Sequence, residues 1–208
     1  MSLFVKLCGI MTEPDLEAAV DAGADAVGFV LTPSPRRISL SHAAHLNRLL
    51  PGHVLGVAVF HEPSPQLLRR TEEQVGPALF QSEASTLVGL PPDRLLPVVV
   101  DGDDLGRRID ETAGATTREW VLVDSAARGG TGRPVDWRRL AQLATSAKMI
   151  LAGGLDEENV ADVVAGIRPF GVDVSSGIET APGQKDPERM LSFVAAARSA
   201  LPLARGQS

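Results

Sequence analysis

Cys8 and Asp124 are the side chains in this sequence best suited to moving protons. A thiol acts as a base only through its thiolate, and a free thiol has a pKa of about 8.5. Asp124 closes the run Trp120-Val121-Leu122-Val123, and a carboxyl leaving so apolar a strand is expected to keep a proton for donation. Either residue has an ordinary role as well: a buried cysteine is usually an inert small hydrophobe, and an aspartate often caps a loop. Two later stretches could grip a phosphate. Ala152 runs into Gly153-Gly154, and Gly171-Val172-Asp173-Val174 breaks into Ser175-Ser176-Gly177. Hydroxyls and backbone N–H groups at such breaks bind anions, and glycine lets the main chain come close.

Two consecutive strand ends that open into small residues before a helix fit the phosphate cup of a (β/α)₈ barrel. That cup is expected to consist of the loops after strands 7 and 8 and a short helix N-terminus. Six βα units must then precede residue 148. Apolar runs over 3–8, 26–31, 53–60, 78–81, 95–100 and 120–124 supply the strands, with helices over 12–22, 41–50, 64–75, 103–113 and 136–144. Unit 4 has only a weak helical turn over 82–88. Helices over 156–165 and 187–200 follow strands 7 and 8. Thr12 is the expected N-cap of the first helix. Almost continuously apolar strands alternating with helices imply a parallel sheet covered on both faces. Eight units of roughly 26 residues favour closure. The expected fold is therefore α/β, one (β/α)₈ TIM barrel over 1–203 with a shortened helix in unit 4, and 204–208 form a frayed tail.

In such a barrel, chemistry sits at the C-terminal strand ends. Those ends offer Cys8, the Arg36-Arg37 loop, His61, Gln81, Asp101 and Asp124. Cys8 and Asp124 fall on non-adjacent strands 1 and 6 and can work on opposite sides of one substrate. Lys6 shares the inward face of strand 1 with Cys8. A lysine there needs a carboxylate, and Asp173 is the candidate, because strand 8 pairs with strand 1 on closure. An arginine at the mouth can hold a carboxylate bidentately. The segment Gly129-Gly130-Thr131-Gly132 could approach a phosphate or close over substrate, but it lacks the GxGxxG spacing of a dinucleotide site. The four histidines do not converge with other ligands, so no metal is expected.

The bulk properties narrow the class further. The chain has 208 residues, 44% of them hydrophobic, which suffices for one well-cored domain. A net charge of −6 and a pI near 5.2 give no electrostatic footprint for nucleic acid or an anionic membrane. No secretion signal and no apolar run near the ~20 residues of a membrane span are visible. A single cysteine fits a reducing compartment. A cytoplasmic protein is expected.

The order and spacing of these motifs resemble phosphoribosylanthranilate isomerase of tryptophan biosynthesis over nearly the whole chain. The matching stretches begin with Lys6-Leu7-Cys8-Gly9-Ile10, residues 23–30 and Ser34-Pro35-Arg36. They continue with Asp124 and the 129–132 glycines, then Ala152-Gly153-Gly154-Leu155 with Asn159. Residues 172–179 and 182–186 complete them. The resemblance implies a cofactor-free Amadori rearrangement of a small phosphoribosyl substrate by a monomer or homodimer, with neither nucleic acid nor membrane as partner. It implies Asp124 as general acid, Cys8 as general base, and Arg36 as the ligand of the anthranilate carboxylate. Gln81 would contact substrate, while Gly153, Gly154, Ser175, Ser176 and Gly177 form the phosphate cup with Asp173 in support. The sequence departs from the family where Gln81 is followed by Ser82-Glu83 instead of Leu-His, and where His61-Glu62 replace an asparagine. Both departures bear on fit and pocket charge more than on the acid–base pair. Two rivals remain. The related histidine-pathway isomerase, alone or as a dual-substrate enzyme, would place an aspartate where Cys8 stands and a second phosphate site in the first half of the barrel. A non-catalytic phosphoribosyl-binding barrel would not need Cys8 and Asp124.

Overall fold

The strands are short, and most of their residues are buried. β1 (Phe4–Cys8), β2 (Ala26–Val30), β3 (Leu55–Val59), β4 (Leu79–Glu83), β5 (Leu95–Val100), β6 (Trp120–Asp124), β7 (Lys148–Ala152) and β8 (Gly171–Val174) pair in parallel, in chain order. β8 returns to β1, with Phe4 opposite Gly171 and Lys6 opposite Asp173, so the barrel closes. The computed structural model describes residues 3–100, 102–124, 137–143 and 145–200. Asp101, the 129–132 glycines and the 204–208 tail lie outside the described residues.

Alternation along each strand divides the core in two. Side chains pointing inward include Phe4, Ala26, Val57, Leu79, Leu96, Leu122 and Ile150, which fill the barrel. Phe4, Trp120 and Phe170 plug its N-terminal end, their ring centroids 5.0 to 5.7 Å apart. Outward residues such as Val5, Leu7, Phe29, Val121 and Leu151 pack beneath the helices. Among the described residues the N-terminal end is packed with aromatic rings.

The helices are α1 (Glu13–Asp21), α2 (Leu40–Leu49), α3 (Pro65–Gln74), α4 (Leu105–Gly114), α5 (Trp137–Ala141), α6 (Val160–Ile167) and α7 (Pro187–Ser199). Side-chain caps explain several starts. Thr12 Oγ1 accepts from Asp15 N, Ser39 Oγ from His42 N, and Ser64 Oγ from Leu67 N, satisfying N–H groups that a helix leaves unpaired.

Unit 4 is shortened as expected. Between β4 and β5 lie only two 3₁₀ turns, Ala84–Thr86 and Pro92–Arg94. Adjacent Pro91 and Pro92 deny a longer helix its N–H donors. The outward ring of Phe80 is covered instead by Arg94, 5.2 Å from its centroid, and by a parallel stack with Phe60. Two expectations need correction. α6 begins at Val160 and not at 156, because Asp156 and Asn159 bond the nearby main chain and hold a turn in place of a first helical turn. And among the described residues no short helix completes the phosphate cup: after β8 comes a hairpin of β9 (Glu179–Ala181) and β10 (Gln184–Lys185).

Candidate active site

Cys8 ends β1 with its side chain inward and is 6% exposed. Two residues earlier on the same face, Lys6 is fully buried, and its Nζ donates to Asp173 Oδ1 at 2.7 Å. The pairing expected from strand parity and barrel closure is therefore present. Gly28 of β2 stands opposite Cys8. A Cβ there would come within 2.7 Å of Cys8 Sγ and 3.2 Å of Lys6 Nζ. Only glycine leaves the thiol and the ammonium room beneath the same patch of main chain.

Burial pushes the Cys8 thiol above its ordinary value, and the nearby Lys6 ammonium offsets only part of this. For Lys6 burial alone would act downward, but the Asp173 carboxylate, helped by Cys8, leaves it raised. Asp173 is raised by burial against the pull of Lys6 and Lys185.

Arg36 sits in the loop after β2, its backbone N–H donating to Ser34 Oγ. Its stem crosses Gly9, where an added Cβ would lie 2.6 Å from Arg36 Cδ and 3.2 Å from Ser175 Oγ. Its guanidinium grips Glu179 bidentately, Nε to Oε1 at 2.7 Å and Nη2 to Oε2 at 2.6 Å. Lys185 reaches the same carboxylate at 2.8 Å and also donates to the Ser175 carbonyl at 2.8 Å. Burial alone would raise Glu179, but its bonds to Arg36 and Lys185 override it and hold the carboxyl below its ordinary range. Lys185 is lowered by burial despite Glu179, and Arg36 is raised by its bond to Glu179. Sequence reasoning assigned no role to Glu179 or Lys185. The available signal was Pro182-Gly183, a turn pair that sets Glu179 across from Lys185 in a hairpin.

The loops after β7 and β8 are locked together. Asp156 bridges to Gly177, and Asn159 Nδ2 donates to the Gly154 carbonyl. A Cβ at residue 177 would lie 2.0 Å from the Leu155 carbonyl oxygen, so this glycine permits contact between the loops themselves, apart from any role toward an anion. Gly153, Gly154, Ser175 and Ser176 thus share one rim of the barrel.

Asp124 ends β6 at the same C-terminal face, half-buried, with Val100 on one side and Ala152 on the other in register. Gln81 points inward from β4 and is 7% exposed; its Oε1 has no hydrogen-bond partner among the described residues. Glu83 lies at the rim of a groove of about 590 Å³ left by the missing unit-4 helix, a groove that Arg108 also lines. His61 is exposed, and its backbone N–H donates to Thr32 Oγ1. His42 and His45 go to the Met11 carbonyl and Glu13. Among the described residues no three His, Cys, Asp or Glu side chains come together as a metal would need, and no helix is long and apolar enough to cross a membrane.

The family model described as N-(5'phosphoribosyl)anthranilate (PRA) isomerase matches residues 5–196. An N-(5'-phosphoribosyl)anthranilate isomerase from Streptococcus pneumoniae is 38% identical over 194 residues, covering 91% of this chain and 93% of that protein. The crystal structure of TrpF from Jonesia denitrificans superposes with a TM-score of 0.80 at 31% identity, covering 96% of this chain and 98% of that one. A phosphoribosyl anthranilate isomerase in complex with reduced 1-(o-carboxyphenylamino)-1-deoxyribulose 5-phosphate gives 0.74 at 29% identity, covering 95% and 99%. This chain belongs to the N-(5'-phosphoribosyl)anthranilate isomerase family.

Proposed function

We propose that the barrel converts N-(5-phosphoribosyl)anthranilate into 1-(2-carboxyphenylamino)-1-deoxyribulose 5-phosphate, with Asp124 as acid and Cys8 as base. The observation that carries this is the placement of the Cys8 thiol and the Asp124 carboxyl, inward on non-adjacent strands, at the end of the barrel opposite the aromatic plug. Asp124 protonates the furanose ring oxygen as the C1–O bond breaks, and the anilino nitrogen lone pair forms the C1=N iminium. Cys8 then takes the proton from C2, whose electrons make the C1=C2 bond of the enolamine. Loss of the C2 hydroxyl proton and protonation at C1 give the ketone. Each proton transfer contributes typically ~10²–10⁴-fold.

The end groups of the substrate hold the reacting carbons in place. Ser175, Ser176, Gly153 and Gly154 receive the phosphate. Arg36 meets the anthranilate carboxylate with the N–H groups that Glu179 does not use. Gln81 Oε1 accepts a hydrogen bond from the substrate, and the reaction runs in the cytoplasm without a cofactor.

The test is to generate phosphoribosylanthranilate in situ and follow the loss of its fluorescence with purified protein, using Asp124→Asn as control. Rapid loss in wild type and not in the variant is the expected result. Folded wild-type protein that leaves the signal unchanged would overturn the reading.

A further inference from the structure

Among the described residues, five ionisable side chains from four parts of the barrel lie near the Cys8 thiol or are bonded to groups that do, and the charges of these five do not balance. Lys6 comes from β1, Asp173 from β8, Glu179 and Lys185 from the β9–β10 hairpin, and Arg36 from the loop after β2. All five act on Cys8 directly or through a shared partner. Three are cations and two are anions, so the cluster carries one net positive charge while Cys8 is a thiol and none once it is a thiolate.

Of the three cations, Lys6 is the one built around the sulfur. Arg36 and Lys185 share Glu179. Lys6 has a single carboxylate contact, through one oxygen of Asp173, and three ammonium N–H bonds to give. Its Nζ and the Cys8 Sγ lie beneath the same small patch of Gly28. A fully buried lysine whose ammonium shares the space beneath Gly28 with a thiol is an expensive arrangement for packing alone, since a leucine or methionine would fill the space without desolvating a charge.

We propose that Lys6, held by Asp173, is a positioning residue that stabilises the thiolate of Cys8 and thereby sets the basicity of the catalytic base. The thiol proton leaves to solvent, and the charge left on sulfur is met by the Lys6 ammonium. Asp173 has the opposite sign of effect: it fixes Lys6 in place but opposes a second anion nearby. This inference rests on Cys8 being the base, but its test does not depend on that.

The chain contains one cysteine and no tyrosine, so the ultraviolet absorbance of a thiolate can be titrated in the intact protein with no tyrosinate band to overlap it. In Lys6→Met the midpoint should rise by at least about one pH unit or move beyond the alkaline unfolding limit; in Asp173→Asn it should fall. Lys6→Arg, which keeps the charge, should stay nearer wild type than Lys6→Met. If Lys6→Met does not fold, the double variant Lys6→Met/Asp173→Asn decides, with its midpoint above wild type. Midpoints that coincide with wild type, or that move the same way in Lys6→Met and Asp173→Asn, would overturn the proposal. The alkaline-side limb of the pH–rate profile separates the two readings. If the titration shifts as stated and the limb does not follow, Lys6 still governs the thiol, but Cys8 is not the base.

Discussion

Arg36 and Glu179 are 143 residues apart in sequence and joined by two parallel hydrogen bonds of 2.7 and 2.6 Å. The pair ties the loop after β2 to the hairpin after β8, and Lys185 carries the link on to the Ser175 carbonyl. The residue proposed to receive the anthranilate carboxylate is thus aimed by a carboxylate already in the protein, and the same network reaches the phosphate rim.

Glu179→Gln keeps the shape and removes the charge. The guanidinium then loses one anchor of its orientation, and Lys185 loses its counter-ion. KM for the phosphoribosylanthranilate substrate should rise about tenfold, the effect of roughly 1.4 kcal/mol, with kcat changed less. Steady-state kinetics on the purified variant check this, and a kcat loss larger than the KM rise would assign Glu179 to the chemistry instead.

The same carboxyl gives a pH signature. Glu179 is held below its ordinary value in the folded protein, so it contributes stability that is fully present above the unfolded-state pKa and is lost as pH falls through the folded-state pKa. Urea midpoints measured from pH 6 downward should fall in wild type below about the ordinary carboxylate value of 4.3. Glu179→Gln should start lower and lose less over that window.

Gly177→Ala tests the lock between the β7 and β8 loops. An added methyl would meet the Leu155 carbonyl oxygen at 2.0 Å, and that neighbour is backbone with no side chain to swing aside. The loops must part, so thermal stability should fall and KM should rise. Inorganic phosphate should also protect the variant less well than wild type against thermal unfolding.

Strand order, closure and the Lys6–Asp173 pair were all legible in the sequence, because parity along a strand and the ring closure of eight units are near-deterministic rules. The Arg36–Glu179–Lys185 network was not legible. Arg36 falls at the mouth on sequence grounds, but its partner sits on a hairpin of three and two residues, too short for a hydrophobic period and hidden after the last barrel strand. The sequence predicts α6 four residues early for a related reason: Asp156 is a residue type common at helix starts, yet its carboxylate accepts from Glu158 N and Asn159 N in a turn. Short polar segments are governed by side-chain-to-backbone bonds that carry no periodic signal.

Cys8→Ala and Asp124→Asn should each lower kcat by at least about 10²-fold with modest change in substrate affinity. Cys8→Ala removes a sulfur that packs beneath Gly28, so the variant should fold. Its Lys6 ammonium would also lose the nearby sulfur. Circular dichroism together with the fluorescence assay separates a folded, inactive variant from an unfolded one. Activity close to wild type in Cys8→Ala would remove the base assignment.

Gln81 separates stability from function most sharply. Its amide lies inside the barrel with Oε1 lacking any partner among the described residues. A buried acceptor left unmade costs about 1–3 kcal/mol, and Leu79 and Leu96 already make this interior apolar. Replacing the amide with an isobutyl group removes that cost at similar volume, so Gln81→Leu should unfold at a temperature no lower than wild type. In the complex the balance reverses. If Oε1 accepts a bond from substrate, the leucine variant loses it and KM should rise several-fold while the free protein gains stability. Calorimetry on the free protein and kinetics on the same sample decide the matter. A variant that gains stability and keeps its KM would show that the orphaned oxygen serves no substrate contact, and one that loses both would show that Gln81 has a structural partner in the folded barrel.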